Sequence, residues 1–144
     1  PRLDADRFLP PLPATIAVDS RLQKREGFVP NERAVHRAAD RQHDLSGMRK
    51  VLGALVPPML ERARDEGEAR CAQLAAEAAA NADAALGAEI QRLEALARIN
   101  PAVRPAEIER LREERAQLLA LLPQARPRLD ALRLVVSPDF LSLR

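Results

Sequence analysis

The feature that most constrains the fold is a run of about forty residues, from Met59 to Arg98, that contains no proline. Within it, apolar or small residues recur at steps of three or four, so they share one face of an α-helix. Pro57 and Pro58 suit the first turn of that helix, where a missing N–H costs nothing. We therefore predict one long helix over 57–99, about 60 Å in length. Its apolar face consists of Leu60, Ala63, Gly67, Cys71, Leu74, Ala78, Ala82, Leu86, Ile90, Leu93 and Ala97.

A turn at Asn100-Pro101 is predicted to end the long helix, because the residue before a proline is pushed out of the helical region. Pro105 and Glu107 favour the start of a second helix, over 105–122. The connection is short, so we expect the two helices to pack as an antiparallel αα-hairpin. Arg115 interrupts the apolar face of the second helix. Across the hairpin, Leu86, Ile90 and Leu93 are expected to meet Ile108, Leu111 and Leu118.

The middle of the long helix is rich in alanine, with eleven alanines in residues 69–88. Such small side chains permit the close approach of a neighbouring element. The shorter helix spans about 27 Å and should cover only the C-terminal half of the long one. We therefore expect another partner for residues 69–88: residues 31–56, a second copy, or a missing domain. The alternative is an alanine helix that faces solvent and forms through intrinsic propensity.

The flanking segments predict an extended lead-in, two strands and short helices. Residues 1–13 contain four prolines, so they cannot form a helix and should lay Phe8 and Leu9 on a neighbouring surface. Alternating apolar residues predict strands at 14–19 and 130–137, and short helices are expected within 31–56.

Two strands are too few for an independent sheet. They would pair with each other over the helices, with a second molecule, or within a sheet whose other strands lie elsewhere. The predicted fold class is α+β, mostly helical, in a single module over 1–144.

Composition limits the classes of protein that remain. The 23 basic and 21 acidic residues are too evenly balanced to indicate nucleic-acid binding. Cys71 is the only cysteine, which excludes an internal disulfide and favours a reducing compartment. The longest apolar run, Val51–Leu60, is too short to span a bilayer. Because the chain opens on Pro1 and not on Met, we expect it to be a piece of a longer protein.

A search for catalytic and cofactor-binding patterns predicts none in this chain. The glycine spacing does not form a phosphate-binding loop, and Asp65-Glu66 is expected on a solvated helical face. Cys71 has no histidine near it and should be a buried small hydrophobe. The most metal-like pattern has carboxylates and imidazoles at helical spacing, but interleaved arginines favour a solvated charged face over a metal site. Its members are Glu32, His36, Asp40 and His43.

The Asn-Pro turn is the one place where partner contact is predicted. Arg98, Asn100 and Arg104 flank this turn and could contact an anion or a protein. The competing expectation is that the two arginines cap the last carbonyl groups of the long helix or stay exposed.

Several blocks of the sequence resemble the C-terminal region of the RapA family of bacterial SWI/SNF-like ATPases. D-R-F-L-P-P, at Asp6–Pro11, is similar to the family's entry into this region. Glu89–Leu96 matches E-x-x-R-L-E-A-L, and residues 100–107 match N-P-x-I/V-R-x-x-E. R-L-D-A-L-R-L, at Arg128–Leu134, matches the near-terminal block. The resemblance is strong over 85–136 and weak over 14–70.

The resemblance implies a non-catalytic C-terminal domain of an ATPase that binds RNA polymerase and promotes its recycling in transcription. The parent's helicase-like active site, with ATP and Mg²⁺, would lie upstream, and DNA would be bound only by the parent. The implied partners are core RNA polymerase and the upstream ATPase domains, and the implied location is the bacterial cytoplasm, associated with the nucleoid.

Two departures from the family pattern affect the end of the chain. Pro123 and Pro127 interrupt a segment that tends to stay helical in the family, and a tail continues beyond Val136. The alternative function is a self-associating helical scaffold that dimerises through its alanine-rich face, without nucleotide chemistry.

Overall fold

A computed structural model describes residues 3–28 and 46–136 of the chain. It contains two α-helices, α1 (Arg49–Ala97) and α2 (Pro105–Leu121). Single 3-10 turns lie at Ala5–Arg7, Ser46–Met48 and Leu122–Gln124. The mostly helical part of the predicted class is therefore confirmed. No helix in the described part of the chain combines the length and the apolar character needed to cross a bilayer.

The two helices form the predicted hairpin around one apolar cluster. The six side chains predicted to meet across it are all buried in this cluster, together with two alanines of α1 and the residue that follows α2. Leu118 is completely buried. Burial of this apolar surface is the main force that holds the two helices together. The buried residues are Ala78, Ala82, Leu86, Ile90, Leu93, Ile108, Leu111, Leu118 and Leu122.

The alanine-rich part of α1 contains closely packed residues, and α2 packs against more of this part than predicted. Ala75, Ala78 and Ala82 are at most 2% exposed. Ala78 and Ala82 share the cluster with Leu118 and Leu122, so the end of α2 reaches them without a second copy or another domain. The absence of large side chains at these two positions lets the helices approach closely.

The lead-in packs on the hairpin, as predicted for Phe8 and Leu9. Both side chains are partly buried against the cluster, together with Leu3 and Ala5. The expectation that the lead-in has no helix is wrong, because it contains one helical turn. Ala5–Arg7 form a 3-10 turn, closed where the Phe8 N–H donates to the Ala5 carbonyl at 3.0 Å. This turn precedes Pro10, so the prolines do not oppose it.

The start of the long helix differs from the prediction, because Pro57 and Pro58 lie inside α1 and not in its first turn. A proline in a helix leaves the carbonyl four residues earlier without its N–H partner. Those carbonyls belong to Gly53 and Ala54, which are exposed. Water can therefore satisfy them, and the helix continues back to Arg49.

The two predicted strands are absent from residues 3–28 and 46–136, which corrects the α+β assignment. In 14–19, Val18 forms one isolated antiparallel bridge with Lys24, and the backbone then closes into a loop around Asp19. Residues 130–136 have no regular structure, and Leu132 and Leu134 are exposed. A strand needs hydrogen bonds from a neighbouring strand, and alternation of apolar residues does not supply them.

The chain divides into two compact units. One comprises Pro1–Ala14 and Glu68–Pro127, and the other comprises Thr15–Gly67 and Arg128–Arg144. The assignment of 1–144 to a single module stays a prediction. The short helices predicted in 31–56 fall largely outside the described residues; within that range, residues 49–56 belong to α1.

Candidate protein-docking surface

Residues 98–104 form the reversal between α1 and α2, and we call this segment the hairpin tip. The Asn100 N–H donates to the Leu96 carbonyl at 2.8 Å and so completes the last turn after α1. Asn100 Oδ1 accepts the Ala102 N–H at 2.9 Å, which is an Asx turn. Arg104 has extended backbone at the N-cap of α2, and its carbonyl accepts the Glu107 N–H at 3.0 Å. Backbone bonds and the bond accepted by the Asn100 side chain together define the shape of the tip.

One large apolar side chain of the hairpin tip points away from the core. Leu96 and Val103, on either side of the reversal, pack against the apolar cluster. Ile99 is 82% exposed, the largest value among the exposed large hydrophobic residues of the described chain. An exposed isoleucine on a hydrogen-bonded turn can enter an apolar pocket with little loss of backbone entropy.

Arg98 directly precedes this isoleucine and Arg104 follows it by five residues, and both are exposed. Neither forms an ion pair within the described part of the chain, and neither side chain caps a described carbonyl group. The expectation that they stay exposed therefore fits better than the expectation that they cap α1. Two guanidinium groups that have no carboxylate partner among the described residues suit a carboxylate-rich protein surface.

Some arginines on the helices beyond the tip differ from Arg98 and Arg104, because they form ion pairs with carboxylates. Arg92 donates to both carboxylate oxygens of Glu89, at 2.6 and 2.8 Å, and this lowers the pKa of Glu89 and raises that of Arg92. Arg112 reaches Glu94 across the hairpin at 2.5 Å and also pairs with Glu109. The bond to Glu94 is the main reason that the pKa of Arg112 is raised.

Arg115, which interrupts the apolar face of α2, also pairs across the hairpin. Its Nε and Nη2 atoms both lie 2.7 Å from Asp83 Oδ1 on α1. This bond and the Arg112–Glu94 bond both join α1 to α2 beside the apolar contacts. The pair was missed in the sequence, although Asp83 follows directly after a residue on the apolar face.

Comparison with known proteins identifies the family. The model of the RNA polymerase recycling family, C-terminal (RapA_C), matches residues 1–137. The RNA polymerase-associated protein RapA of Pectobacterium carotovorum is 38% identical over 137 residues, and the proteins of the same name from Yersinia pestis and Erwinia tasmaniensis are 37% and 34% identical. Each match covers 93% of this chain. The chain belongs to this recycling family.

The recycling-family chain spans about 14% of the length of the curated relatives it matches. No solved structure matches it. The family match includes residues 98–104 of the hairpin tip.

The other residues that the sequence analysis of this recycling-family chain singled out do not form a site together among the described residues. Cys71 is half-buried, not fully buried as expected. Asp65 is exposed, whereas Glu66 accepts bonds from Arg62 and Lys24. The metal-like pattern lies at 29–45, outside the described residues. Across the ranges that are described, no group of three or more His, Cys, Asp or Glu could hold a metal ion.

Proposed function

We propose that this chain is a non-catalytic docking domain of an RNA polymerase-associated ATPase, and that the hairpin tip contacts core RNA polymerase. The observation that carries the proposal is the exposed Ile99 between Arg98 and Arg104, on a turn fixed by backbone bonds. Family membership supplies the partner, because the curated relatives are named as RNA polymerase-associated proteins. The upstream ATPase domains of the same polypeptide are the second partner that this surface could serve.

In this proposal each residue of the tip has a distinct role. Ile99 enters an apolar pocket, and the two guanidinium groups pair with carboxylates at the rim of that pocket. Asn100 holds the turn that presents them, because its Oδ1 is already engaged by the Ala102 N–H. ATP and Mg²⁺ would belong to the parent protein, as would DNA binding, and the parent would act in the bacterial cytoplasm at the nucleoid.

The alternative, a scaffold that dimerises through the alanine-rich face, has less support. Ala78 and Ala82 are covered within the chain by the hairpin core, so that part of the face is not free for a second copy. Sedimentation analysis distinguishes the two proposals. A dimer that is disrupted by Ala80→Glu, on the exposed side of this segment, would favour the scaffold.

The docking proposal is tested by measuring the affinity of the full-length protein for core RNA polymerase. Ile99→Asp and the double change Arg98→Glu with Arg104→Glu should each weaken binding about tenfold or more, as expected for residues at the centre of an interface. The charge reversal should also lose its effect at high ionic strength.

Two control variants match these changes at positions away from the tip. Leu129→Asp introduces the same charge at a residue that is also strongly exposed. Arg64→Glu with Arg70→Glu reverses two exposed arginines on α1. Both controls should bind like the wild type. Equal losses for the controls and the tip variants would contradict a specific contact at the tip, and unchanged binding of Ile99→Asp would remove the tip from the interface.

A further inference from the structure

Residues 17–25 form a tight loop in which one carboxylate organises the whole backbone; we call it the Asp19 loop. Asp19 Oδ1 accepts the N–H groups of Arg21 and Gln23, both at 2.9 Å. Its Oδ2 accepts Nε and Nη2 of Arg25, at 2.7 and 2.5 Å. These bonds, the Gln23 N–H first among them, lower the pKa of Asp19. At neutral pH the Asp19 carboxylate is therefore charged and can accept all of these bonds.

Backbone bonds close the same loop from both sides. The Arg25 N–H donates to the Ala17 carbonyl at 2.9 Å, and the Asp19 N–H donates to the Gln23 carbonyl at 3.0 Å. Lys24 is anchored by Glu26 at 3.0 Å and by Glu66 of α1 at 3.5 Å, and both carboxylates raise its pKa. The loop is thus attached to residue 66 of the same compact unit.

Leu22 is the unusual residue of the Asp19 loop. Its N–H donates to the Asp19 carbonyl at 2.9 Å, and its φ of 61° lies in the left-handed region. Turns of this kind normally place glycine or asparagine there, because a larger side chain collides with the backbone. It is the only non-glycine residue with positive φ in the part of the chain that is described. Backbone strain of this kind persists only where the surrounding contacts hold it, and it is concentrated at functional sites.

The side chain held in this strained position faces solvent. Leu22 is 41% exposed, so a substantial part of this apolar side chain stays in contact with solvent. Arg21, next to it, is exposed and forms no ion pair with a described residue, whereas Lys24 and Arg25 are each paired with carboxylates. Within the described residues, the loop therefore presents one apolar side chain beside one guanidinium group that forms no ion pair.

We propose that the Asp19 loop is a second docking element, in which Leu22 enters an apolar pocket and Arg21 pairs with a carboxylate at its rim. The partner is a protein surface with that pattern, and we assign it to core RNA polymerase. This assignment rests on the proposed function, while the loop belongs to a different compact unit from the hairpin tip. Charge complementarity favours an acidic rim, because Arg21 is the cation that the loop leaves unpaired.

The test compares Leu22→Asn with Leu22→Met in the full-length protein, with core RNA polymerase as the probe. Asparagine tolerates positive φ, so it keeps the turn and removes the apolar side chain. Leu22→Asn should weaken binding roughly fivefold or more, the loss expected of a residue that contributes strongly to an interface. Leu22→Met keeps an apolar side chain and should bind like the wild type.

Hydrogen exchange of the peptide that spans residues 15–28 reports whether the loop has kept its structure. Exchange in Leu22→Asn should be as slow as in the wild type or slower, because strain is relieved. Addition of polymerase should slow exchange further in the wild type but not in Leu22→Asn. Leu121→Asn is the matched control, since Leu121 is 42% exposed and has ordinary helical backbone; it should leave the affinity unchanged.

The possible failures of the two proposals can be told apart. If Leu22→Asn binds like the wild type while Ile99→Asp binds more weakly, the Asp19 loop proposal is overturned. The proposal that the hairpin tip contacts polymerase is then retained. The reverse result supports the loop and removes the tip. If exchange shows that Leu22→Asn has opened the loop, the affinity of Arg21→Glu for polymerase is the deciding measurement. The backbone N–H of residue 21 can still donate to Asp19 in this variant. Unchanged affinity of Arg21→Glu would overturn the Asp19 loop proposal. A wild-type protein that does not bind polymerase contradicts both proposals.

Discussion

Arg115 on α2 and Asp83 on α1 are 32 residues apart in sequence, yet Nε and Nη2 of the arginine both lie 2.7 Å from the same carboxylate oxygen. The pair sits next to the buried contacts of Ala82 and Leu118. A shift of one helix along the other would break this bond at the same time as the apolar contacts. The charged pair and the apolar core therefore specify the same register.

The Asp83–Arg115 bond should contribute a small, salt-dependent coupling energy. Both side chains are more than two-fifths exposed, and such pairs are worth about 1 kcal/mol or less. We expect a double-mutant cycle with Asp83→Ala and Arg115→Ala to give that value at low salt and less at 1 M salt, where screening is strong. Urea unfolding followed by circular dichroism measures it. A coupling of zero at low salt would contradict a role in register.

A second prediction concerns the close approach of the helices at Ala82, which is fully buried. Ala82→Leu should lower the free energy of unfolding by about 1–3 kcal/mol, because the added carbon atoms have no space between α1 and α2. Ala84→Leu lies two residues away on an exposed part of the same helix and should change stability by about 0.5 kcal/mol or less. Equal effects of the two changes in urea unfolding would mean that α2 is not tightly packed there.

The hairpin was predictable because local and long-range signals agree on it. Asn100-Pro101 ends one helix, Pro105 starts the next, and the apolar stripe on each side has the same period. The position of the reversal was predicted from the same Asn100-Pro101 pair, while partner contact by Arg98 and Arg104 stays a prediction. The exposure of Ile99 was not predicted, because the sequence does not show which way a side chain points within the reversal. Only the reversal of the chain turns it outward.

The strands were predicted wrongly because alternation of apolar residues indicates a preference for extended backbone, but does not show whether a neighbouring strand is available for pairing. At 14–19, the carboxylate of Asp19 offers the backbone an alternative set of hydrogen bonds, and the loop forms instead. At 130–136 the residues alternate without a neighbouring strand. The position of Pro57 and Pro58 within α1 was also missed. The free-energy cost of these prolines in a helix depends on whether the carbonyl groups of Gly53 and Ala54 can bond to water.

A third prediction is that the Asp19 loop loses stability in acid. The pKa of Asp19 is lowered from 3.8, so its contribution to folding is complete above that value and is lost as the pH falls below 3.8 through the folded pKa. Carbon-detected NMR titration of the carboxyl group should give a midpoint below 3.8. Arg25→Ala removes one cause and should move the midpoint upward, while the bonds from Arg21 and Gln23 remain. A midpoint at or above 3.8 in the wild type would contradict this.

The last prediction separates the two roles that Asn100 could have at the hairpin tip. Asn100→Ala removes the acceptor of the Ala102 N–H and should cost about 0.5–1.5 kcal/mol of stability. Asn100→Asp keeps that acceptor and should unfold at the same urea concentration as the wild type.

Polymerase affinity then distinguishes positioning from contact. If Asn100 only holds the turn, Asn100→Asp binds like the wild type, because the carboxylate accepts the same N–H and the backbone still presents Ile99. If the amide group donates a hydrogen bond to the partner, Asn100→Asp binds more weakly although its stability is unchanged. We expect the first result, since the side-chain oxygen of Asn100 is already used within the tip.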